Sequence, residues 1–581
     1  VRFVLAIISF VLAAVMIALG IAQRTVFAQA DQVALSTTIA TDAPVTVIEG
    51  DTLNAFAGSQ RLELSGSDAI FTAYGRTNDV LAWVGDTDYT VVSYDAETGE
   101  LTNDLVAGAE SEVPNPAGSD LWLQEYTGES SLRVTVNVPD SISFIIVSDG
   151  VAPAPTDVSL TWPVDNTTPW SGPLIVGGAV VLLIGLVLLL WATNHMRSSR
   201  GPRRKPQKMP KVPRKRLYKP VRKTIEKPST GRRAVTKSVA IVPVFLTAGL
   251  VLSGCSADFW PDLGPQPVAP SATATTAAED AQLDPPAATA RQVERIVAQI
   301  SETTAQADAA KDTALLETRF SGAALELRIA SYAIQTADSS IAGLAAIPAG
   351  PVELTLPQQT DTWPRSVFAV IQPEDDTVAP VALFLEQADP RANYKVSYAI
   401  TLEPSEGIPD VAPANIGAPP LAVDSQLLRV APEDVTLAYS DILQTGLESD
   451  SYLDFEEDGD TLRQAVTEYQ NSIKGSLPAT ATAAFGYAVG PATPIALATN
   501  DAGALVAVNL YETTTVTPVE EGAAVNPSGQ VKALSGLAIS TKGVIATYSD
   551  QLLFYVPPAG GDAKIVLLGY SQGLVKAGEV G

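Results

Sequence analysis

Residues 173–193 (PLIVGGAVVLLIGLVLLLWAT) carry no charge, and Arg197, Arg200, Arg203, Arg204, Lys205, Lys208, Lys211, Arg214, Lys215 and Arg216 follow almost at once. An apolar run of this length is enough for a helix to cross the hydrocarbon of a bilayer. Trp170 and Trp191 stand near its ends, where interfacial aromatics belong, and the cationic flank is retained on the cytoplasmic side. The chain therefore cannot be one globule; its remaining parts are sorted by side of the membrane.

Two further apolar runs complete this sorting. Residues 3–22 are uncharged and follow Arg2, and Ala28-Gln29-Ala30 has the small-x-small form of a signal cleavage site. Residues 1–30 read equally as a signal peptide or as a transmembrane anchor, and either places residues 31–170 outside. The third run, residues 238–254, contains Pro243, follows Arg232, Arg233 and Lys237, and ends Leu252-Ser253-Gly254 before Cys255, the only cysteine in the chain. A basic flank, an apolar run and a small-residue approach to one thiol form a lipoprotein signal. Cleavage and acylation at Cys255 would hold the following residues on the membrane. The alternative is a third transmembrane helix.

The net charge of −27 conceals a segregation. Residues 197–237 carry +16 and the remainder −43. The basic loop is proline-punctuated and has Tyr218 as its single aromatic, so it lacks the stacking platform of a nucleic-acid binder; no nucleic-acid partner is expected. A lone cysteine excludes a disulfide framework. A lone histidine, His195 at the cytoplasmic end of the 173–193 segment, removes most histidine-based catalysis.

Residues 31–170 read as an extracytoplasmic β-rich domain. Alternation over Arg61–Tyr74, Val80–Tyr94 and Ser131–Val138 and an apolar run at Ser141–Val147 predict strands, about seven in all, in an antiparallel sandwich. This region has three arginines, no lysine and 22 acids.

Residues 255–290 are rich in Pro, Ala, Ser and Thr and predict a disordered tether. Residues 291–403 then predict helices followed by strands. Val293, Ile296, Val297 and Ile300 keep helical spacing, and strands are expected at Val352–Leu356, Ser366–Ile371, Val381–Leu385 and Tyr394–Leu402. After a Pro-rich linker at 404–430, residues 431–581 repeat the plan. Helices are expected at Val435–Leu443 and Thr461–Ile473, and strands at Thr480–Tyr487, Ala504–Val516, Leu537–Tyr548, Leu552–Val556 and Ala563–Leu568. The expectation is two tandem α+β rolls of NTF2- or cystatin-like plan.

Three motifs suggest chemistry. Gly569-Tyr570-Ser571-Gln572-Gly573 has the form of a nucleophile elbow, but no base can follow it, and a terminal hairpin turned by its glycines is the expectation. Asp454, Glu456, Asp458 and Asp460 begin like a calcium loop, yet Ala465 stands where a bidentate glutamate belongs; the alternative is a polar start to the helix at Thr461. Arg319, Arg328 and Tyr332 on predicted helices either line an anion pocket or make surface ion pairs. No catalytic residue and no cofactor is assigned.

Composition, the three apolar runs and Leu252–Cys255 together resemble actinobacterial membrane-anchored lipoproteins. The resemblance implies a non-enzymatic cell-envelope protein, binding or assisting a membrane complex that assembles or transports envelope material. Its expected partners are the membrane, other envelope proteins, or the two halves of the chain for each other. The alternatives are an enzyme acting on an envelope polymer or lipid through a carboxylate pair, and a fusion of two interacting proteins separated by processing at Cys255.

Overall fold

The computed structural model describes residues 2–27, 30–164, 168–198, 284–373, 375, 377–403 and 407–581. Leu252, Ser253, Gly254, Cys255, Ala28, the third apolar run and nearly all of the basic loop lie outside the described residues. The chain forms two compact units, the first containing residues 1–34, 56–58 and 161–198, the second residues 35–55, 59–160 and the described residues from 284 onward.

The first unit rests on two helices, α1 (Arg2–Thr25) and α4 (Ser171–Ser198). Both are long and apolar enough to span a membrane. They pack antiparallel through small residues. A Cβ at Gly20 would meet Ile175, one at Gly178 would lie 2.6 Å from Ile17, and one at Gly185 would meet Phe10. Glycines that admit a neighbouring backbone are a usual basis for helix association in lipid, where the hydrophobic effect cannot drive it. Val4, Ile7, Val187 and Leu190 point away from the pair.

Between these helices the chain forms β1 (Gln32–Thr38), β2 (Val45–Ile48), α2 (Gly50–Leu53), β3 (Gln60–Arg76), α3 (Thr77–Val84), β4 (Tyr89–Asp95), β5 (Glu100–Val106), β6 (Gln124–Val136), β7 (Ile142–Val147) and β8 (Asp157–Pro163). All eight strands join one sheet, in the order β1-β8-β3-β7-β2-β4-β5 with β6 also paired to β3. This corrects the expected antiparallel sandwich in two respects. The sheet is continuous, because the long β3 stands between β8 and β7 and so links both parts, while β6 pairs with it on either side of an irregularity between Ser65 and Ala69. It is also mixed, since β2 and β4 run parallel. The strand expected over Val80–Tyr94 is half helix: Val80, Trp83 and Val84 bury one face of α3 against Phe71, Trp122 and Ile145.

From residue 284 the elements are α5 (Ala290–Ala310), α6 (Thr313–Glu317), α7 (Gly322–Ala337), β9 (Val352–Pro357), β10 (Arg365–Ile371), β11 (Val381–Gln387) and β12 (Lys395–Leu402). Then follow α8 (Pro432–Thr445), α9 (Thr461–Ser476), β13 (Ala481–Val489), β14 (Ile495–Ala498), β15 (Ala504–Pro518), α10 (Gly529–Ser535), β16 (Val544–Val556) and β17 (Val566–Glu579). Helix α5 begins at a capping box in which Thr289 and Gln292 each satisfy the other's backbone N–H. Helices precede antiparallel strands in both stretches, and in the second α10 is inserted between β15 and β16.

The two predicted rolls are nevertheless not separate. Their strands form one nine-stranded sheet, β13-β15-β16-β17-β12-β11-β10-β9 with β14 on β15, joined where Thr401 and Leu402 pair with Tyr570 and Gly569. Nor does the Pro-rich stretch merely link them, because Ala418 exchanges backbone hydrogen bonds with Pro357 and Gln359.

The sheet is buried on both faces. Val367, Ala369 and Ile371 face Val293, Ile296 and Ile300 of α5. Their neighbours Phe368 and Val370 share a central core with Leu505, Ala507 and Leu553 of the second meander. Opposite that core, Val508, Leu510 and Leu552 pack beneath Val435, Tyr439 and Val466 of α8 and α9. Strands covered on both sides lose their alternation and read as continuous apolar runs.

Candidate functional site

Two groups of buried charges stand out, one joining the two sheets and one inside the second sheet. The first begins with Asp120, in the connection between β5 and β6, whose side chain is fully buried. Its Oδ2 accepts from the Arg319 guanidinium and from the Tyr394 backbone N–H at 2.8 Å. Its own N–H donates to Asn393 Oδ1, while Gln292 and Arg295 of α5 donate to the carbonyls of Asp120, Leu121, Trp122 and Leu123.

A second acid, Asp79 on α3, accepts from Arg365 at 2.8 Å through Oδ1 and from Arg76 at 2.7 Å through Oδ2. Arg365 has no exposed surface, and its guanidinium lies 3.7 Å from the Trp363 ring centroid. Trp363 itself packs on the core of the first sheet. Arg391 closes the seam by donating to the carbonyls of Trp83 and Val84 at 2.9 Å, at the C-terminus of α3 where a cation is favoured. A domain with three arginines and many acids thus receives Arg295, Arg319, Arg365 and Arg391 from the other half of the chain. Removing one partner of such a buried pair strands a charge away from water.

The second group lies on the face of β15 and β16 beneath α9. Glu512 stands opposite Tyr548, and Asp550 stands between Leu510 and Gln572. Asp550 is fully buried and Glu512 is 7% exposed. Burial pushes the Glu512 carboxyl up to about 7, and burial with the neighbouring Glu512 pushes Asp550 well above the usual carboxylate range. The two carboxyls interact with each other, and the Gln572 amide acts on Asp550 to lower its pKa against the effect of burial. A cavity of about 80 Å³ adjoins Glu512, lined also by Ala465, Val466, Tyr469, Tyr548 and Gln572. Tyr469 and Tyr548 approach at 3.3 Å between hydroxyls, and Gln470 donates to Tyr487 at 2.6 Å.

The motifs singled out in the sequence fall elsewhere. Ser571 is inside β17, which runs straight through Gly569–Gly573, so the expected hairpin turn is absent and no strand-to-helix elbow exists. Its Oγ accepts from the Thr401 N–H at 3.1 Å. The flanking glycines serve packing: a Cβ at Gly569 would lie 2.4 Å from the Thr401 carbonyl, and one at Gly573 2.5 Å from Leu327. His195 belongs to α4.

The acids proposed as a calcium loop diverge to separate partners. Asp454 pairs with Arg429, Glu456 with Lys564, and Asp460 caps α9 while accepting from Tyr439; Asp458 is exposed. Among the described residues no group of three or more His, Cys, Asp and Glu converges as metal ligands. Arg319 and Arg328 make buried rather than surface ion pairs. Arg328 binds Asp308, to which Tyr332 also donates. Arg328 does line a 320 Å³ pocket with Phe320, Leu327, Tyr570 and Ser571, but its guanidinium is already held by Asp308 and the Ala345 carbonyl. Of the proposed cleavage residues, Ala30 is exposed just before β1.

Fold and sites together define a β-rich protein with two membrane-length helices and two sheets clamped to each other by buried arginine–aspartate pairs. The chain belongs to a family described as Domain of unknown function (DUF8094), whose profile matches residues 284–579, the entire nine-stranded sheet and its helices. No curated protein and no solved structure matches it.

Proposed function

We propose that this is a non-enzymatic cell-envelope membrane protein, held by α1 and α4, which presents residues 31–170 and 284–579 outside the membrane as one preassembled binding module. The carrying observation is the seam: Asp120 and Asp79 of the first sheet neutralise Arg319 and Arg365 of the second. Parts that share buried ion pairs must face the same side of the bilayer. With residues 197–237 retained in the cytoplasm by their charge, the chain must cross again before residue 284, which supports residues 238–254 as an exported segment ending at Cys255. The glycine-mediated packing of α1 on α4 supports α1 as a retained anchor. On this reading the two halves are each other's partner.

For an external ligand the module offers an apolar groove of about 510 Å³ between α7 and α10, lined by Leu325, Ile329, Ala333, Pro491, Leu534 and Val575. Such a surface suits an accessory role in a complex that assembles or moves envelope material. The buried carboxyl pair does not meet the spatial requirement of acid–base catalysis, since the 80 Å³ cavity beside Glu512 falls well below the roughly 300–1,000 Å³ of small-molecule sites.

Sidedness is the test. Thr98→Cys and Asn526→Cys, each made in a Cys255→Ala background, place thiols at exposed positions of the two sheets. Both should react with a membrane-impermeant maleimide on intact cells. Labelling of one and protection of the other until lysis would refute the proposal.

A further inference from the structure

Beside the join of the two meanders the sheet opens. Strand β12 pairs with β17 only through Thr401 and Leu402, so the rest of its edge on that side needs other partners. Side chains of the second meander supply two. Gln551 Oε1 accepts from the Ala399 N–H at 2.8 Å, and Ser571 Oγ accepts from the Thr401 N–H at 3.1 Å. These residues, with α7 and residues 344–347, line the 320 Å³ pocket that Arg328 also borders. Its volume falls within the roughly 300–1,000 Å³ of small-molecule sites.

The polar side chains of this pocket have hydrogens to donate. Because the Gln551 amide oxygen is committed to Ala399, the orientation of the amide is fixed. Its Nε2 donates to no group among the described residues, although Gln551 is only 1% exposed. A buried amide N–H normally has an acceptor, so an unused one on a pocket wall points to an acceptor from outside the chain. The Ser571 and Thr401 hydroxyls stand 3.4 Å apart; one hydrogen lies between them and the other is free. Among the described residues no aspartate or glutamate lines the pocket, and the Arg328 charge is answered by Asp308. Phe320, Leu327, Leu344, Ile347 and Val381 make the remaining walls apolar. A cation would meet no carboxylate there, and a carboxylate would lose its hydration to gain only neutral donors. We propose that the pocket binds a neutral, largely apolar molecule through one carbonyl oxygen, of an ester, amide or ketone, which accepts from Gln551 Nε2 and from the free hydroxyl of the Ser571–Thr401 pair. The site shares no lining residue with the groove between α7 and α10, and it does not depend on which side of the membrane the module faces.

Benzophenone provides the probe, being a neutral aromatic ketone that inserts into nearby C–H bonds on near-ultraviolet irradiation. The full chain in detergent, irradiated with benzophenone and digested, should carry saturable label on residues 320–328 or 344–347 by mass spectrometry. Gln551→Met keeps the length of the side chain and removes the donor. Label on these segments should then fall several-fold, as expected for the loss of one hydrogen bond. Ala346→Trp, at an exposed position of the lining, should obstruct the pocket and lower the label at least as much without altering the core. Far-UV circular dichroism identifies a variant that fails to fold, and the other then decides. Absent or unsaturable label on both segments in the wild type, or label unchanged in either folded variant, would overturn the proposal.

Discussion

At the scale of single residues, Asp120 carries more of this structure than any motif visible in the sequence. It accepts from a buried guanidinium and a backbone N–H, and offers its own N–H and carbonyl to the same half of the chain. Asp120→Ala and Arg319→Ala are each expected to destabilise the protein by about 3–5 kcal/mol, the cost of leaving a buried charge unpaired. The double variant should cost clearly less than the sum, because its members share one interaction. Denaturant unfolding of all three checks this. Ser571→Ala is the contrasting case. It loses two exposed hydrogen bonds, to the Thr401 N–H and hydroxyl, and should cost about 1 kcal/mol or less by the same measurement, whereas Gly569→Val should disrupt the join between the meanders. The Gly-x-Ser-x-Gly run was legible as a pattern, but its glycines answer to neighbours that only the fold brings near.

At the scale of elements, helical spacing and apolar runs located most of the longer helices and strands after residue 290, but not β14 or α10, nor the second half of β17. The exceptions are informative. Leu537–Tyr548 and Leu552–Val556 were expected as two strands, but β16 runs unbroken from Val544 to Val556. The gap was Ser549-Asp550-Gln551, which reads as a turn by composition; all three are buried in mid-strand. The polar triplet that concealed the strand is also what makes it chemically distinctive. An acid inside an otherwise apolar run was the available signal.

That placement has a pH consequence. Both carboxyls titrate above their unfolded values, so the Glu512 contribution is fully present below about pH 4.5 and is lost as pH rises through about 7, and Asp550 acts in the same direction. The wild-type unfolding midpoint should fall over that interval, and the fall should be much smaller in the Glu512→Gln/Asp550→Asn variant. The α1–α4 pair allows a separate check. Ile17→Cys with Gly178→Cys, in a Cys255→Ala background, should form a disulfide on mild oxidation, since a Cβ at position 178 would lie 2.6 Å from the Ile17 side chain. A mature protein lacking residues 1–30 could not form it.

At the scale of the whole molecule, the sequence divided the chain at its apolar runs and by charge, and a 3:22 imbalance of arginine to acid in residues 31–170 is plain on inspection. Pairing of the two halves was one expectation from the sequence, but the residues that join them were not legible. Asp79 and Asp120 are two acids among many, and their partners stand 286 and 199 residues away. Only the fold selects them.

Hydrogen exchange of the full chain, wild type beside Arg319→Ala, addresses the docking directly. The account predicts that losing this guanidinium raises exchange together in residues 118–123 of the first sheet's domain and in residues 391–396 of the second. Unchanged protection in 118–123 would mean that the first domain does not depend on the second, and would contradict the single-module account.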